Sequence, residues 1–282
     1  MAITVVALLD GTLIDPAQPI VRADDLGVVR GDGVFDALLA VDGEARDLDA
    51  HLERLASSAT LLDLPAPDEA GFRRAVDAIL ASWDWSAEPE AVLRMIYTRG
   101  AEGIEDPSGW VMAAPLDAGS RRQRTEGVRV LLLDRGFDGG QIANLPWLLP
   151  GAKSLSYGIN MAAKRYAVNN GADDVIFTTP SGTLLEGPTS SVVLDLDGEL
   201  VTPPLDGILR SITITDLLEA CSAEGLTMRL APLHVDDFAR CRGAWLLSSG
   251  RILARITHID GSELPRSPLD QTLVRMLDVP LA

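Results

Sequence analysis

Leu149-Pro150-Gly151-Ala152-Lys153-Ser154-Leu155-Ser156-Tyr157 is the stretch on which the reading of this 282-residue chain turns. It holds one of only two lysines, because Lys153 and Lys164 are the sole exceptions to arginine among the 24 basic residues. Any amine chemistry has to use one of them. Lys153 lies in an apolar stretch that begins near Trp147 and ends just before a helix expected from about Ser156 to Asn170. An ammonium held in such surroundings loses hydration, which disfavours its charged form and leaves a usable amine nucleophile. Lys164 falls in mid-helix beside Arg165, where a solvated role is simpler. On position alone, a surface lysine whose stem covers apolar neighbours stays open for Lys153 too.

Upstream, Val128 to Asp134 reads as a strand, followed by a Gly- and Pro-containing loop to Gly151. Leu116 to Glu126, with Arg121-Arg122-Gln123-Arg124, loses apolar periodicity and reads as an interdomain linker. Residues 3 to 14 read as two short strands around Asp10-Gly11. Val34 to Ala40, a turn at Asp42-Gly43 and a return from Glu44 to Leu48 make a second hairpin. Asp49 is expected to cap a helix with Leu52, Leu55, Ala56, Ala59 and Leu62 on one face, ending before Pro65. A second helix fits residues 68 to 83, and Val92 to Thr98 and Trp110 to Ala114 read as strands of the same sheet. Downstream, strands are expected near 174 to 178, 191 to 196, 227 to 232, 244 to 248 and 252 to 259, with a helix at about 211 to 223. The pattern predicts an α+β chain of two domains: a small α+β domain over 1–115, a linker over 116–126, and a larger β-rich domain with peripheral helices over 127–282.

Composition narrows the function. With 24 basic against 41 acidic residues the net charge is −17. That field repels phosphate backbones and anionic headgroups, so neither nucleic acid nor a membrane is expected as a partner. The first apolar run stops at Asp10 and has no basic residue before it, so no signal or membrane segment is expected and the cytoplasm is the expected location. Cys221 and Cys241 alone make neither a disulfide framework nor a Cys-rich zinc module and read as buried thiols. Gly31-Asp32-Gly33 begins like a dinucleotide fingerprint, but Asp36 stands at the third glycine and a strand follows. No glycine precedes a lysine, so there is no Walker-type phosphate loop. His51, His234 and His258 are scattered, no Gly-x-Ser-x-Gly or His-Glu-x-x-His occurs, and no metal is expected. His234-Val-Asp236-Asp237 reads as an acidic helix start.

Residues downstream of Lys153 supply complementary chemistry. Thirty-three positions on, Glu186 ends a strand and is followed by small polar residues through Ser191. Asp206-Gly207-Ile208-Leu209-Arg210-Ser211 opens a helix whose free N–H groups suit an anion. Ser248-Ser249-Gly250 ends an apolar strand with hydroxyls. An amine, a carboxylate and a phosphate cradle are what pyridoxal 5′-phosphate (PLP) requires.

With Gly31-Asp-Gly-Val-Phe-Asp36, His51-Leu-Glu-Arg54-Leu, Lys153, Glu186-Gly187 and the final strands, nearly the whole chain resembles the fold-type IV PLP enzymes. That family includes D-amino acid aminotransferases, branched-chain aminotransferases and aminodeoxychorismate lyases, and the likeness is greatest to actinobacterial members. The resemblance implies a two-domain α+β fold and a homodimer with partner-supplied residues. It implies that Lys153 is the Schiff-base lysine and catalytic base, Glu186 the partner of the pyridine nitrogen, and Arg54 the grip on the cofactor phosphate. Ile208 and Leu209 would add backbone N–H groups to that phosphate, Ser249 a hydroxyl, and Tyr157 a hydrogen bond to the cofactor's phenolic oxygen. Arg30 and Arg94 are candidates for substrate carboxylates, with Phe35 as an apolar wall; Arg99 is a frequent family feature and a weaker candidate. The chain reads Ala101-Glu-Gly-Ile-Glu-Asp-Pro where well-known D-amino acid aminotransferases carry an Arg-x-His pair, and their usual carboxylate trap is absent. The expected reaction is amino transfer between a (D-)amino acid and a 2-oxo acid. The alternative is lysis of 4-amino-4-deoxychorismate to pyruvate and 4-aminobenzoate, and a third reading is a non-catalytic binding protein on the same scaffold.

Overall fold

The computed structural model describes residues 4–137 and 145–281. Part of the loop expected before Gly151 therefore lies outside the described residues. The chain divides into two compact units, Met1–Asp117 with Ala152–Tyr157, and Ala118–Gly151 with Gly158–Ala282.

The first unit runs β1 (Val5–Leu8), β2 (Leu13–Ile14), α1 (Leu26–Arg30), β3 (Gly33–Val41), β4 (Glu44–Ala45), α2 (Leu48–Leu61), α3 (Glu69–Ser82), β5 (Glu90–Thr98) and β6 (Ser108–Pro115). Its six strands form one antiparallel sheet in the order β2-β1-β6-β5-β3-β4. Alternation on β3 fixes which face is covered: Val34, Asp36, Leu38 and Ala40 are buried, whereas Phe35 and Ala37 are only half-buried. The helix α2 packs on β3 through Leu52, Leu55 and Ala59. Asp68 caps α3, its carboxylate accepting from Gly71 N–H at 3.0 Å.

The entry to α2 departs from the expectation. The return strand is cut to Glu44–Ala45, and the cap is Asp47, not Asp49. Asp47 sits at φ 54°, a conformation aspartate tolerates better than most residues, and this turns the chain sharply from strand into helix.

The second unit runs α4 (Ala118–Glu126), β7 (Val128–Asp134), α5 (Gly158–Asn169), β8 (Asp174–Thr178), β9 (Ser191–Leu196), β10 (Glu199–Thr202), α6 (Ile212–Glu224), β11 (Met228–Leu230), β12 (Gly243–Ser248), β13 (Ile252–Ile259), β14 (Ser262–Glu263) and α7 (Asp270–Met276), with short 3-10 turns at Pro146–Leu148 and Val235–Ala239. The strands follow the order β11-β10-β9-β12-β13-β7-β8, with β14 paired to β13. The β13, β7 and β8 strands are mutually parallel. That setting buries both faces, and β8 is buried at every position. The C-terminal helix α7 is tied down where Trp245 Nε1 donates to Asp270 Oδ1 at 2.8 Å. Among the described residues, no helix is long and apolar enough to cross a membrane.

Two further expectations are corrected. Residues 118–126 of the expected linker are helical, because its polar residues are occupied: buried Arg124 donates to the carbonyls of Gly250 at 3.0 Å, Arg251 at 3.1 Å and Pro280 at 3.1 Å. Arg251 in turn bridges Gln123 at 2.8 Å and Asp174 at 2.9 Å. Arg124→Ala strands these carbonyls, and a loss of about 2–4 kcal/mol of stability is expected. The check is the urea midpoint at unchanged slope. The second correction concerns Ala152–Tyr157, expected with the domain over 127–282 but belonging to the first unit. Phe35 N–H donates to Lys153 O at 3.0 Å and Leu155 N–H to Gly33 O at 2.8 Å, so this stretch covers the edge of β3 that β4 is too short to pair.

Candidate functional site

Within the first unit, the pairing to β3 sets where Lys153 can act. Close approach requires glycine at position 33, where a Cβ would meet Tyr97 O at 2.7 Å and Leu155 Cδ1 at 2.8 Å. The Lys153 N–H donates to Ser58 Oγ on α2 at 3.1 Å. Its Nζ lies 4.6 Å from the centroid of the Phe35 ring and donates to Tyr157 OH at 3.4 Å. The two rings meet edge-on, 5.0 Å apart, so the amine is walled by aromatic faces. Trp147, part of the apolar stretch read around Lys153, is 71% exposed on the second unit.

Arg54 lies one helical turn before Ser58 on the same face of α2. Its Nε donates to Asp36 Oδ2 at 2.8 Å and its Nη2 to Asp36 Oδ1 at 2.7 Å. His51 Nδ1, a turn earlier, is 2.7 Å from the same carboxylate. Burial alone would raise the pKa of Asp36, but the hydrogen bonds and positive charge of Arg54 and His51 prevail and hold it well below the usual carboxylate range.

Arg94 is exposed on β5 directly opposite Ala37, and so shares the sheet face of Phe35. Arg30 is exposed at the C-terminal end of α1. Arg99 serves the fold, with Nε and Nη2 on Asp32 at 2.7 Å and 3.1 Å and further donors on the carbonyls of Leu62 and Asp63.

In the second unit, Leu184 to Gly187 runs back along β8, with Phe177 N–H donating to Glu186 O at 2.9 Å. The Glu186 carboxylate accepts from Leu209 N–H at 3.2 Å and lies 3.7 Å from Arg135 Nη1. Arg135 stacks over Phe177, 4.9 Å from the ring centroid. A cavity of about 330 Å³ borders Leu185, Ile208 and Leu209, and Glu186 is not among its walls. Two expectations for this region change. Ile208 and Leu209 precede α6 and are not in its first turn; the cap is Ser211, which takes the N–H of Ile214 at 3.3 Å. The Leu209 N–H is directed to Glu186, which competes with the phosphate role expected of it. Ser249 stands in the turn between β12 and β13, whose next two carbonyls Arg124 holds.

Three residues of these clusters were not among the candidates. Asp36 and His51 belong to the quoted motifs, but their contact spans 15 positions and needs the fold to be seen. Arg135 directly follows β7, and only the parallel register of Asp134 with Thr178 brings it beside the Glu186 segment. The thiols offer no competing nucleophile: burial and the neighbouring Glu224 push Cys221 up to about 11. Among the described residues no group of three or more His, Cys, Asp or Glu could hold a metal ion.

In the first unit a walled primary amine and a fixed guanidinium suit an aldehyde and a phosphate ester, and in the second a carboxylate beside an arginine suits a protonated ring nitrogen, so the chemistry of each unit's donors fits the implied cofactor. Comparison with known proteins agrees. The family model described as amino-transferase class IV matches residues 33–259. A relative from Mycobacterium tuberculosis, named a bifunctional aminodeoxychorismate lyase / D-amino acid transaminase, is 43% identical over 97% of this chain and 97% of its own. A solved structure of a hypothetical aminotransferase from Mycobacterium tuberculosis in its PLP-bound form is 43% identical, with a TM-score of 0.93 over 98% of this chain and 97% of its own. One with alpha-ketoglutarate and PMP bound, also 43% identical, has a TM-score of 0.94 over 97% of both chains.

Proposed function

The chain belongs to the class IV aminotransferases, a PLP-dependent enzyme family, and we propose that it moves an amino group between a D-amino acid and a 2-oxo acid at Lys153. The observation that carries this reading is the shared face of α2, where Ser58 fixes the backbone of Lys153 and Arg54, one turn away, has its guanidinium plane fixed by Asp36. An amine and a phosphate grip set by one helix suit a small phosphorylated aldehyde.

Bound there, PLP supplies an aldehyde carbon that takes up the amino group and a ring that accepts the electron pair left at the substrate's Cα. Lys153 would hold the cofactor through its Nζ and, as a free amine once substrate is bound, would carry the proton between the substrate's Cα and the carbon that takes up the amino group. Phe35 and Tyr157 would keep water from the amine, and Tyr157 OH would donate to the phenolic oxygen. Glu186 would keep the ring nitrogen protonated, and Arg54 and Ser249 would hold the phosphate, with Ile208 N–H. Arg94 and Arg30 are read as the carboxylate grips, Arg94 because it shares the face of Phe35.

A second reading is favoured by the relative that carries both names: release of pyruvate from 4-amino-4-deoxychorismate with the same lysine as base. The two are separated by adding D-alanine or D-glutamate in one cuvette and the chorismate derivative in another. Amino transfer is expected to bleach the visible band with a D-amino acid and restore it with a 2-oxo acid. Pyruvate and 4-aminobenzoate formed without that half-reaction would make the lyase the activity, and no visible band at all would revive the binding-protein reading.

We also read the protein as a cytoplasmic homodimer. Exposed Val28 and Val29 on the first unit and Trp147, Leu148 and Ile159 on the second are apolar surface of the kind a two-fold partner covers. The two cysteines are free, in keeping with a reducing compartment. Sedimentation equilibrium should give twice the 30.1 kDa of one chain, and an active monomer would remove the partner-supplied residues from the mechanism.

A further inference from the structure

We propose that Asp36 and His51 are positioning residues for the cofactor phosphate: they set the plane of the Arg54 guanidinium before the phosphate arrives. The inference rests on the reading of Arg54 as the phosphate grip. Asp36 is fully buried on the α2-covered face of β3, between Val34 and Leu38, which are buried as well. A carboxylate placed there loses its hydration and is tolerated only with strong partners, so an apolar side chain would serve the sheet better. Its partners are specific. It engages Arg54 through Nε and Nη2 together, a two-point contact that fixes the guanidinium plane where a single bond would leave it free to swing. His51 holds Oδ1 of the same carboxylate, so the acceptor is itself anchored. The side chain of Arg54 is 11% exposed, so the fork sits in the protein and is not sampling solvent.

Asp36 also draws on the positive charge that a phosphate would use. Its presence therefore makes sense where orientation is worth more than raw attraction: a long arginine that must be ordered at the moment of binding loses more than one already in place.

The test uses apoenzyme prepared from the holoenzyme and compares the affinity for PLP with that for pyridoxal, which lacks the phosphate. Asp36→Asn is expected to weaken PLP binding on the order of tenfold to a hundredfold, the scale of a hydrogen bond to a charged group, and to change pyridoxal binding less than twofold. Arg54→Ala should show the same selectivity, and adding Asp36→Asn to it should cost nothing more. His51→Asn, which keeps a donor near the Nδ1 position, should stay close to the parent, whereas His51→Leu should lose PLP selectively. Those two variants carry the test if Asp36→Asn does not fold. Equal losses for PLP and pyridoxal, or PLP binding by Asp36→Asn as tight as or tighter than the parent while Arg54→Ala loses it, overturn the inference and leave the Arg54 reading standing. If Arg54→Ala binds PLP as the parent does, the phosphate grip lies elsewhere and the inference falls with it.

Discussion

Lys153→Ala is expected to abolish the visible band of the holoenzyme and to lower turnover by about 10⁴-fold or more, since one side chain is proposed as both nucleophile and proton carrier. The fold should survive the change. What holds this stretch in place is main chain: Lys153 N–H to Ser58, its carbonyl to Phe35 N–H, and Leu155 N–H to Gly33. The variant should therefore elute and melt like the parent and still bind PLP, through the phosphate, without the covalent link. Lys164→Ala is the control. Lys164 lies on α5 in the second unit and is not a candidate residue, and its loss should leave both the spectrum and the rate unchanged. A small amine such as methylamine should restore part of the rate of Lys153→Ala. Turnover of Lys153→Ala within tenfold of the parent would show that no lysine is needed and end the assignment.

Much of this was legible because the elements concerned have strong local patterns. Val128–Asp134, Asp174–Thr178 and Ile252–Ile259 are apolar runs bounded by polar or turn residues, and the structure has them at those limits. The glycine of Asp10-Gly11 adopts φ 89°, as a tight turn demands. Local pattern failed where a polar side chain has a distant partner. Arg121-Arg122-Gln123-Arg124 reads as solvent-facing, yet Arg124 is buried against carbonyls 126 to 156 positions away. Asp36 counted in the sequence as the residue that spoils a dinucleotide fingerprint and as the end of a family motif, with no role of its own. Its meaning lies in α2, where His51 and Arg54 stand 15 and 18 positions on. The competing partner of the Leu209 N–H was hidden for a related reason: the spacing before Ser211 suggests a helix start with free donors, but this N–H has a carboxylate to satisfy.

Glu186→Gln isolates the charge of that carboxylate. Glutamine has nearly the same shape and keeps an oxygen for the Leu209 N–H at 3.2 Å, so the local backbone should not move. What goes is the negative charge beside Arg135, whose Nη1 is 3.7 Å from the carboxylate. Unopposed, that guanidinium disfavours a proton on a ring nitrogen placed against residue 186, and the ring becomes a poorer acceptor for the electron pair at Cα. A fall in kcat of about 10²–10³, or roughly 2.7–4 kcal/mol in the barrier, is expected with little change in KM, because the role proposed for the carboxylate is on the developing charge and not on substrate docking. Amino transfer and lyase turnover both pass through that electron demand, so Glu186→Gln should lower the two by similar factors. A variant of Arg94, acting on the substrate's own carboxylates, should instead change their ratio. Were Glu186→Gln to keep kcat within threefold of the parent, the carboxylate would not be the ring's partner, and Arg135 and Leu209 would be left as plain supports of the strand.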